Sequence, residues 1–332
     1  MAGKKMIIPI VIFLISFIAT YASLPYLIKY LKRTGLVVKD QNKKGRPLVP
    51  FSGGLSVMGG IFLGLSAYIF IRTFFYQDQT FLLDFFAAMT VILLITFVGF
   101  IDDSIIKKNK EESSGLKQWQ KPLLTLLAAV PLIVINAGTT QMALPFIGVV
   151  DFGILYPLLI VPIVVIIAAN MVNLLAGFNG LEAGLGVVYL GMLGLYAAYN
   201  QRFVAAVIAW VTFAALLAFL RFNWTPAKIL PGDSLTYLIG GALASIAILG
   251  NMEKAVGIVA IPFAIEFFLK AKSKFKAASF GKEKNGKIVS LYGNKIYSIP
   301  HLLTRTGKFT EKQVVIILMI VHFLIASLIW VI

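Results

Sequence analysis

Carboxylates, amides and amines gather at four places in an otherwise strongly apolar chain, and their types suit the handling of phosphate and a hard metal ion. In GFIDDSIIKK, Asp102 and Asp103 close an apolar run. Acids at a helix C-terminus oppose the macrodipole and adjacent carboxylates repel, so helix stability gives no reason for the pair. Successive residues project about 100° apart on a helix, so the two should do different jobs, one touching a metal or nucleophile and the other orienting it. A turn bearing two solvated acids is the structural alternative. In NMVNLLAGFNGLEAG, Asn170, Asn173 and Gly177 share one helical face, and Gly177, Gly180, Gly184 and Gly186 permit a broken, closely approached backbone. With Asn179 and Glu182 they make a polar floor at a helix end, although Asn170 alone would serve as interhelical glue. In LPGDSLTYLIGG, Asp233 follows Pro231 and Gly232 at the start of a further run. It suits an N-cap, and equally a Mg²⁺ site shared with Asn173, because that ion takes few protein oxygens and keeps waters and substrate phosphates. The fourth place is basic: KDQNKKGRPLVPFSGG, Lys121, and SIPHLLTR with His301 and Arg305. Membrane topology accounts for each basic residue singly; together they surround the acids and amides with phosphate-binding charge.

The elements that must position these groups are membrane spans. The chain has 332 residues, of which 59% are hydrophobic and 13% charged, and its mean hydropathy is +0.90. That leaves too little polar surface for a soluble globule. Apolar runs of about 20 residues, the length that crosses the hydrocarbon core, recur throughout. Ten spans are expected, at 6–31, 53–74, 81–102, 122–137, 154–171, 185–200, 203–221, 235–250, 254–269 and 313–332. The fold class is therefore an all-α integral membrane protein of about ten transmembrane helices, read as one polytopic domain over 1–332. The first run follows Lys4 and Lys5 but is too long for a typical signal-peptide core, so it reads as a retained span.

With both termini outside, the inner connections and span ends carry 25 of the 30 Lys and Arg residues, which sets the orientation. The formal charge of +16 then belongs to the cytoplasmic face and calls for no nucleic acid. All four polar clusters fall on that face. The segment TTQMALPFIGVVDFG suits a small outer hairpin, and the basic stretch 270–312 is either a loop held to anionic headgroups or a cap over a phosphate site. The absence of cysteine excludes disulfides, thiolate metal sites and cysteine nucleophiles.

IDDS, the Asn-Gly run and GDS, in this order, resemble the polyprenyl-phosphate N-acetylhexosamine-1-phosphate transferases. These membrane enzymes move a sugar-1-phosphate from a UDP-sugar to a lipid phosphate and release UMP. The resemblance runs from DQNKKGRPLVPFSGG to about residue 270 and resumes at PHLLTRTGKFTEKQVV. Bacterial members usually have NLxDGxDGL. The form NLLAGFNGLEAG, with GDSLTYLIGG and DFGILYP, is similar to the eukaryotic and archaeal dolichyl-phosphate GlcNAc-1-phosphate transferases that begin N-glycan assembly. The compact region before the last span favours the archaeal type.

The resemblance implies Asp233 and Asn173 as ligands of Mg²⁺, with Mn²⁺ as the alternative ion. It implies Lys121 on the pyrophosphate, Asn179 on uracil, and Asp102 and Asp103 as catalytic acids near the lipid phosphate. Asp40, Lys43 and Glu182 join the substrate-binding set. The last loop lacks both the His-rich run of bacterial relatives and the Arg-His-Arg cluster of eukaryotic ones, so His301 and Arg305 stand as candidate substitutes. The implied partners are a UDP-HexNAc, polyprenyl or dolichyl phosphate and the plasma membrane bilayer, with a homodimer as a candidate assembly. The rival readings are a bacterial-type undecaprenyl-phosphate transferase and a secondary transporter, whose sites lie nearer the midplane. Direct attack by the lipid phosphate and a two-step route through an aspartyl-phosphate both fit the residues.

Overall fold

The computed structural model describes residues 2–105, 115–117, 119–144 and 147–331. The chain begins with α1 (Ala2–Thr34), the hairpin of β1 (Val37–Lys39) and β2 (Leu48–Pro50), α2 (Gly54–Phe70) and α3 (Leu82–Ser104). Next come α4 (Gln120–Leu127), α5 (Val130–Val134), the hairpin of β3 (Gln141–Leu144) and β4 (Gly148–Asp151), and α6 (Val161–Leu174). Then follow α7 (Leu181–Tyr199), α8 (Phe203–Asn223), α9 (Gly232–Gly250), α10 (Glu253–Val259) and α11 (Ile261–Ala271). The hairpin of β5 (Gly281–Lys284) and β6 (Lys287–Ser290), α12 (His301–Thr304) and α13 (Glu311–Ser327) complete it.

Among the described residues, eight helical stretches are long and apolar enough to cross a membrane, and each coincides within a few residues with an expected span. The other two expected spans are helical but broken. The stretch 122–137 divides into α4 and α5, and 254–269 divides into α10 and α11. A proline in the first turn of α5 and of α11 supplies the reason: it starts a helix well but cannot continue the hydrogen-bond ladder of the preceding one. The protein is thus a multi-pass, all-α membrane protein whose described strands form two-stranded hairpins in the connections.

The expected hairpin at 139–153 is present as β3 and β4, with 145–146 outside the described residues. Most of the inner connection 103–121 also lies outside them. The stretch 270–312, expected as either a headgroup-bound loop or a cap, holds β5, β6 and α12.

At the centre, α9 packs against α3, α6 and α8 and is buried over most of its surface. Its small residues, Gly240, Gly241, Ala242 and Ala244, let the neighbouring helices approach closely. By contrast α1 and α13 turn large apolar side chains such as Ile18, Ile320 and Leu324 outward, as lipid-facing helices do. Successive spans alternate in direction. The C-terminal ends of α3, α6 and α11 therefore lie at the same end of the bundle as the N-terminal ends of α4, α7, α9 and α13, and every polar cluster sits there.

Candidate active site

The site is built around the first turn of α9. A helix start leaves backbone N–H groups without intrahelical partners, and Pro231, before α9, offers no capping side chain. Asp103, from the end of α3, caps it from across the bundle: Asp233 N–H donates to its Oδ1 at 2.7 Å and Ser234 N–H to its Oδ2 at 3.1 Å. Close approach of the two helix ends makes this contact. Gly99 of α3 lies against the Asp233 backbone, where a Cβ would overlap it. Gly232 adopts φ +69°, a left-handed conformation, with the Asp103 carboxylate where a Cβ would stand. Asp233 is therefore not its own helix cap, and its carboxylate is available to other partners.

Those partners converge on one oxygen. Asp233 Oδ2 accepts from Lys121 Nζ at 2.9 Å and from Asn173 Nδ2 at 2.9 Å. Lys121 Nζ also donates to Asp102 Oδ2 at 2.7 Å, and the Leu116 N–H donates to Asp102 Oδ1. The ends of α3, α4, α6 and α9 thus bring Asp102, Lys121, Asn173 and Asp233 together although 131 residues separate the first from the last. Asp102 and Asp103, adjacent in sequence, face different work: one holds a lysine, the other a helix end. Asn170 folds back onto its own helix, donating to Ile166 O at 2.8 Å.

A second network forms the floor. Asn179 Nδ2 donates to Asp40 Oδ2 at 2.8 Å, and Gly177 N–H donates to Glu182 Oε1 at 2.8 Å. Asn42 Nδ2 donates to Gly177 O at 2.6 Å, while its Oδ1 accepts from Gly281 N–H at 3.1 Å. Glu311, at the start of α13, accepts from Asn179 N–H at 2.9 Å and from Thr225 Oγ1 at 3.1 Å, and it pairs with Lys43. Burial lowers the Lys43 pKa from its ordinary value, and the nearby Asp40 charge opposes that. Sequence reasoning did not find Asn42, Thr225 or Glu311. Asn42 lies inside the DQNK stretch, whereas Glu311 sits between Thr310 and Gln313 of the capping box and reads as an ordinary first-turn acid.

Two cavities meet at the junction of these networks. A polar cavity of about 480 Å³ is lined by Asp40, Asp103, Asn173, Asn179, Glu182 and Asp233. Its far wall is the connection after α11, with Lys276, Ser279 and Phe280. An apolar cavity of about 740 Å³ runs between α6 and α11, walled by Ile167, Met171, Phe263, Phe267 and Phe268, with Lys121 at its polar end. Ile167, Phe267 and Phe268 are also exposed, so this cavity opens on the lipid-facing flank.

His301 and Arg305 line neither cavity. His301 is buried, accepting from Tyr297 N–H at 3.2 Å and contacting Ala278 O at 3.0 Å, and burial lowers its pKa. Arg305 is exposed at the end of α12. Glu266, an apparent intramembrane charge, is fully buried and accepts from Ser298 Oγ at 2.5 Å and Ile299 N–H at 2.7 Å. These hydrogen-bond partners belong to the last connection, and its nearest cation is Lys270 of the same helix, 3.9 Å away.

The donor set at the junction consists of carboxylate and amide oxygens, which suits a hard divalent ion, and Asp233 already holds a cation in the form of the Lys121 ammonium. Among the described residues, no group of three or more His, Cys, Asp and Glu forms a dedicated metal cage. Asp233 and Asn173 would be the residues to hold such an ion, which would need further ligands from outside the protein.

Fold and site together define a multi-pass membrane protein in which a polar cavity adjoins an apolar cavity open on the lipid-facing flank. The glycosyl transferase family 4 model matches residues 85–251. A Saccharolobus solfataricus protein provisionally named UDP-N-acetylglucosamine–dolichyl-phosphate N-acetylglucosaminephosphotransferase is 35% identical over 92% of this chain and 90% of its own length. A Dictyostelium discoideum protein of the same name is 26% identical, covering 91% of this chain and 82% of its own. The phospho-N-acetylmuramoyl-pentapeptide-transferase of Halalkalibacterium halodurans is 33% identical over 76% of this chain and 78% of its own. The chain belongs to glycosyl transferase family 4.

Proposed function

We propose that this protein transfers GlcNAc-1-phosphate from UDP-GlcNAc to a dolichyl-type polyprenyl phosphate, releasing UMP, as the first membrane step of N-glycan assembly. The observation that carries the reading is the meeting of a polar chamber with an apolar, laterally open groove at Asn173, beside Asp233 and Lys121. A soluble nucleotide sugar and a membrane-bound lipid phosphate need that juxtaposition. The relatives' names supply GlcNAc and dolichyl phosphate as the substrate identities.

In this reading the lipid phosphate oxygen attacks the β-phosphorus of UDP-GlcNAc. The bond from that phosphorus to the bridging oxygen breaks, and UMP leaves with the electron pair. Asp233 and Asn173 would hold Mg²⁺, which neutralises charge on the pyrophosphate when bound. Lys121, steered by Asp102, brings a further positive charge to the phosphates. Asp103 is a positioning residue that fixes the first turn of α9 and hence Asp233. Asn179, held by Asp40 and Glu311, orients the nucleoside, and the connection 270–312 closes the chamber as a cap.

Both acids at the end of α3 are occupied, Asp102 by Leu116 N–H and Lys121, Asp103 by two backbone N–H groups. This favours direct displacement over an aspartyl-phosphate. A single displacement inverts configuration at the transferred phosphorus, and retention would rule it out. The concentration of Lys and Arg at the site end supports a cytoplasmic orientation in the cell membrane.

Purified protein in detergent, given UDP-GlcNAc, polyprenyl phosphate and Mg²⁺, should release UMP and form a lipid-linked product, and should do neither without the lipid or with EDTA. Uptake of a solute without UMP release would replace this reading with transport.

A further inference from the structure

Lys270 closes α11 at the point where the two cavities adjoin, and it lines both of them. Its side chain is nearly buried. An ammonium carries three donors. Among the described residues, Lys270 Nζ donates to one acceptor, Ala277 O at 2.8 Å, and its nearest carboxylate oxygen, Glu266 Oε1, is 3.9 Å away. Glu266 directs its hydrogen bonding to Ser298 and Ile299, so Lys270 is only partly compensated. A buried charge in that state is costly unless a further anion completes its shell.

The backbone beneath it is anchored. Lys270 O accepts from Ser273 Oγ at 2.8 Å and from the N–H groups of Ser273 and Phe275 at 3.0 Å each. The stem of the side chain is therefore delivered to a fixed place on the boundary, and Asn173 likewise lines both cavities.

We infer that Lys270 is a phosphate-binding residue of the reaction chamber, completing its hydrogen bonding on a substrate phosphate at the boundary between the apolar groove and the polar cavity. The shared chemistry is a phosphate monoester or diphosphate oxygen, supplied either by the lipid headgroup or by the nucleotide. The inference rests on the reading of the two cavities as lipid and nucleotide sites. Lys270 also ties the connection after α11 to the helix through Ala277, so a purely structural role must be separated from phosphate contact.

The test compares ligands with and without phosphate on the full-length protein in detergent. Affinities are measured for polyprenyl phosphate against polyprenol, and for UDP against uridine, in the wild type, Lys270→Gln and Lys270→Arg. Glutamine keeps a donor for Ala277 O and removes the charge; arginine keeps the charge. The expected result is that Lys270→Gln loses about tenfold or more of the wild-type preference for the phosphorylated member of at least one pair, with little change for the other member, and that Lys270→Arg retains most of it. The pair that responds identifies which phosphate Lys270 holds. An equal fall for both members of each pair, or an unchanged preference in Lys270→Gln, overturns the inference. A wild type that prefers neither phosphorylated ligand overturns the underlying reading of the cavities instead.

Discussion

The junction and the floor of the chamber are built on opposite plans. At the junction, side chains meet side chains: Asp102, Lys121, Asn173 and Asp233 come from four helix ends and touch one another. In the floor, side chains mostly hold backbone: Glu311 takes the N–H of Asn179, Asn42 the carbonyl of Gly177, and Glu182 the N–H of Gly177. The difference separates two tasks. In the proposed reading, the charges that would act on phosphate ride on packed helices, where their spacing is set by the core, and the groups that would recognise a nucleoside lie on a loop whose shape is set by buried carboxylates and amides.

Substitutions should divide along the same line. Asp233→Ala, which removes the oxygen shared by Lys121 and Asn173, should have the largest effect, cutting UMP release about a thousandfold, as expected for loss of several kcal/mol of charge stabilisation. Uridine binding should persist, and loss of both together would erase the division. Lys121→Gln should lower turnover about a hundredfold with a smaller change in the KM for UDP-GlcNAc. Glu311→Gln acts on the floor instead, and steady-state kinetics should show the KM for UDP-GlcNAc rising about tenfold at nearly constant kcat. A fall in kcat alone would place Glu311 with the junction.

Asp103 sits between the two plans, a side chain of the junction that binds backbone. Asp103→Ala should cost about 1–2 kcal/mol in thermal unfolding, as loss of a helix cap does, and lower turnover by displacing Asp233. An unchanged melting temperature would remove the capping argument. The smallest effect should come from His301. Because burial lowers its folded pKa below 6.5, the unfolded chain binds a proton just below that pH which the folded chain refuses. Stability therefore falls as pH drops from 7 through that window, and His301→Asn should flatten the decline in melting temperature.

The legible part of the site was the set of residues whose type is unusual in lipid. Asp102, Asp103, Asn173 and Asp233 announce themselves because carboxylates and amides at span ends lack an apolar explanation. Glu311 and Lys270 do not, since an acid in a first turn and a base at an inner span end are what helix dipoles and membrane topology already favour. His301 drew notice as a rare residue type, and its environment is a buried turn that it helps to close.

By itself, the sequence determined that this is a multi-pass helical protein with its polar groups at one end. Apolar run length and charge asymmetry are properties of single segments, and the bilayer reads them one segment at a time. Only the tertiary structure decided that Asp103 caps α9, that Lys121 and Asn173 meet on Asp233, and that Lys270 borders both cavities. Those outcomes depend on which helix ends pack together, and contacts between residues more than a hundred positions apart leave no periodicity along the chain to be read.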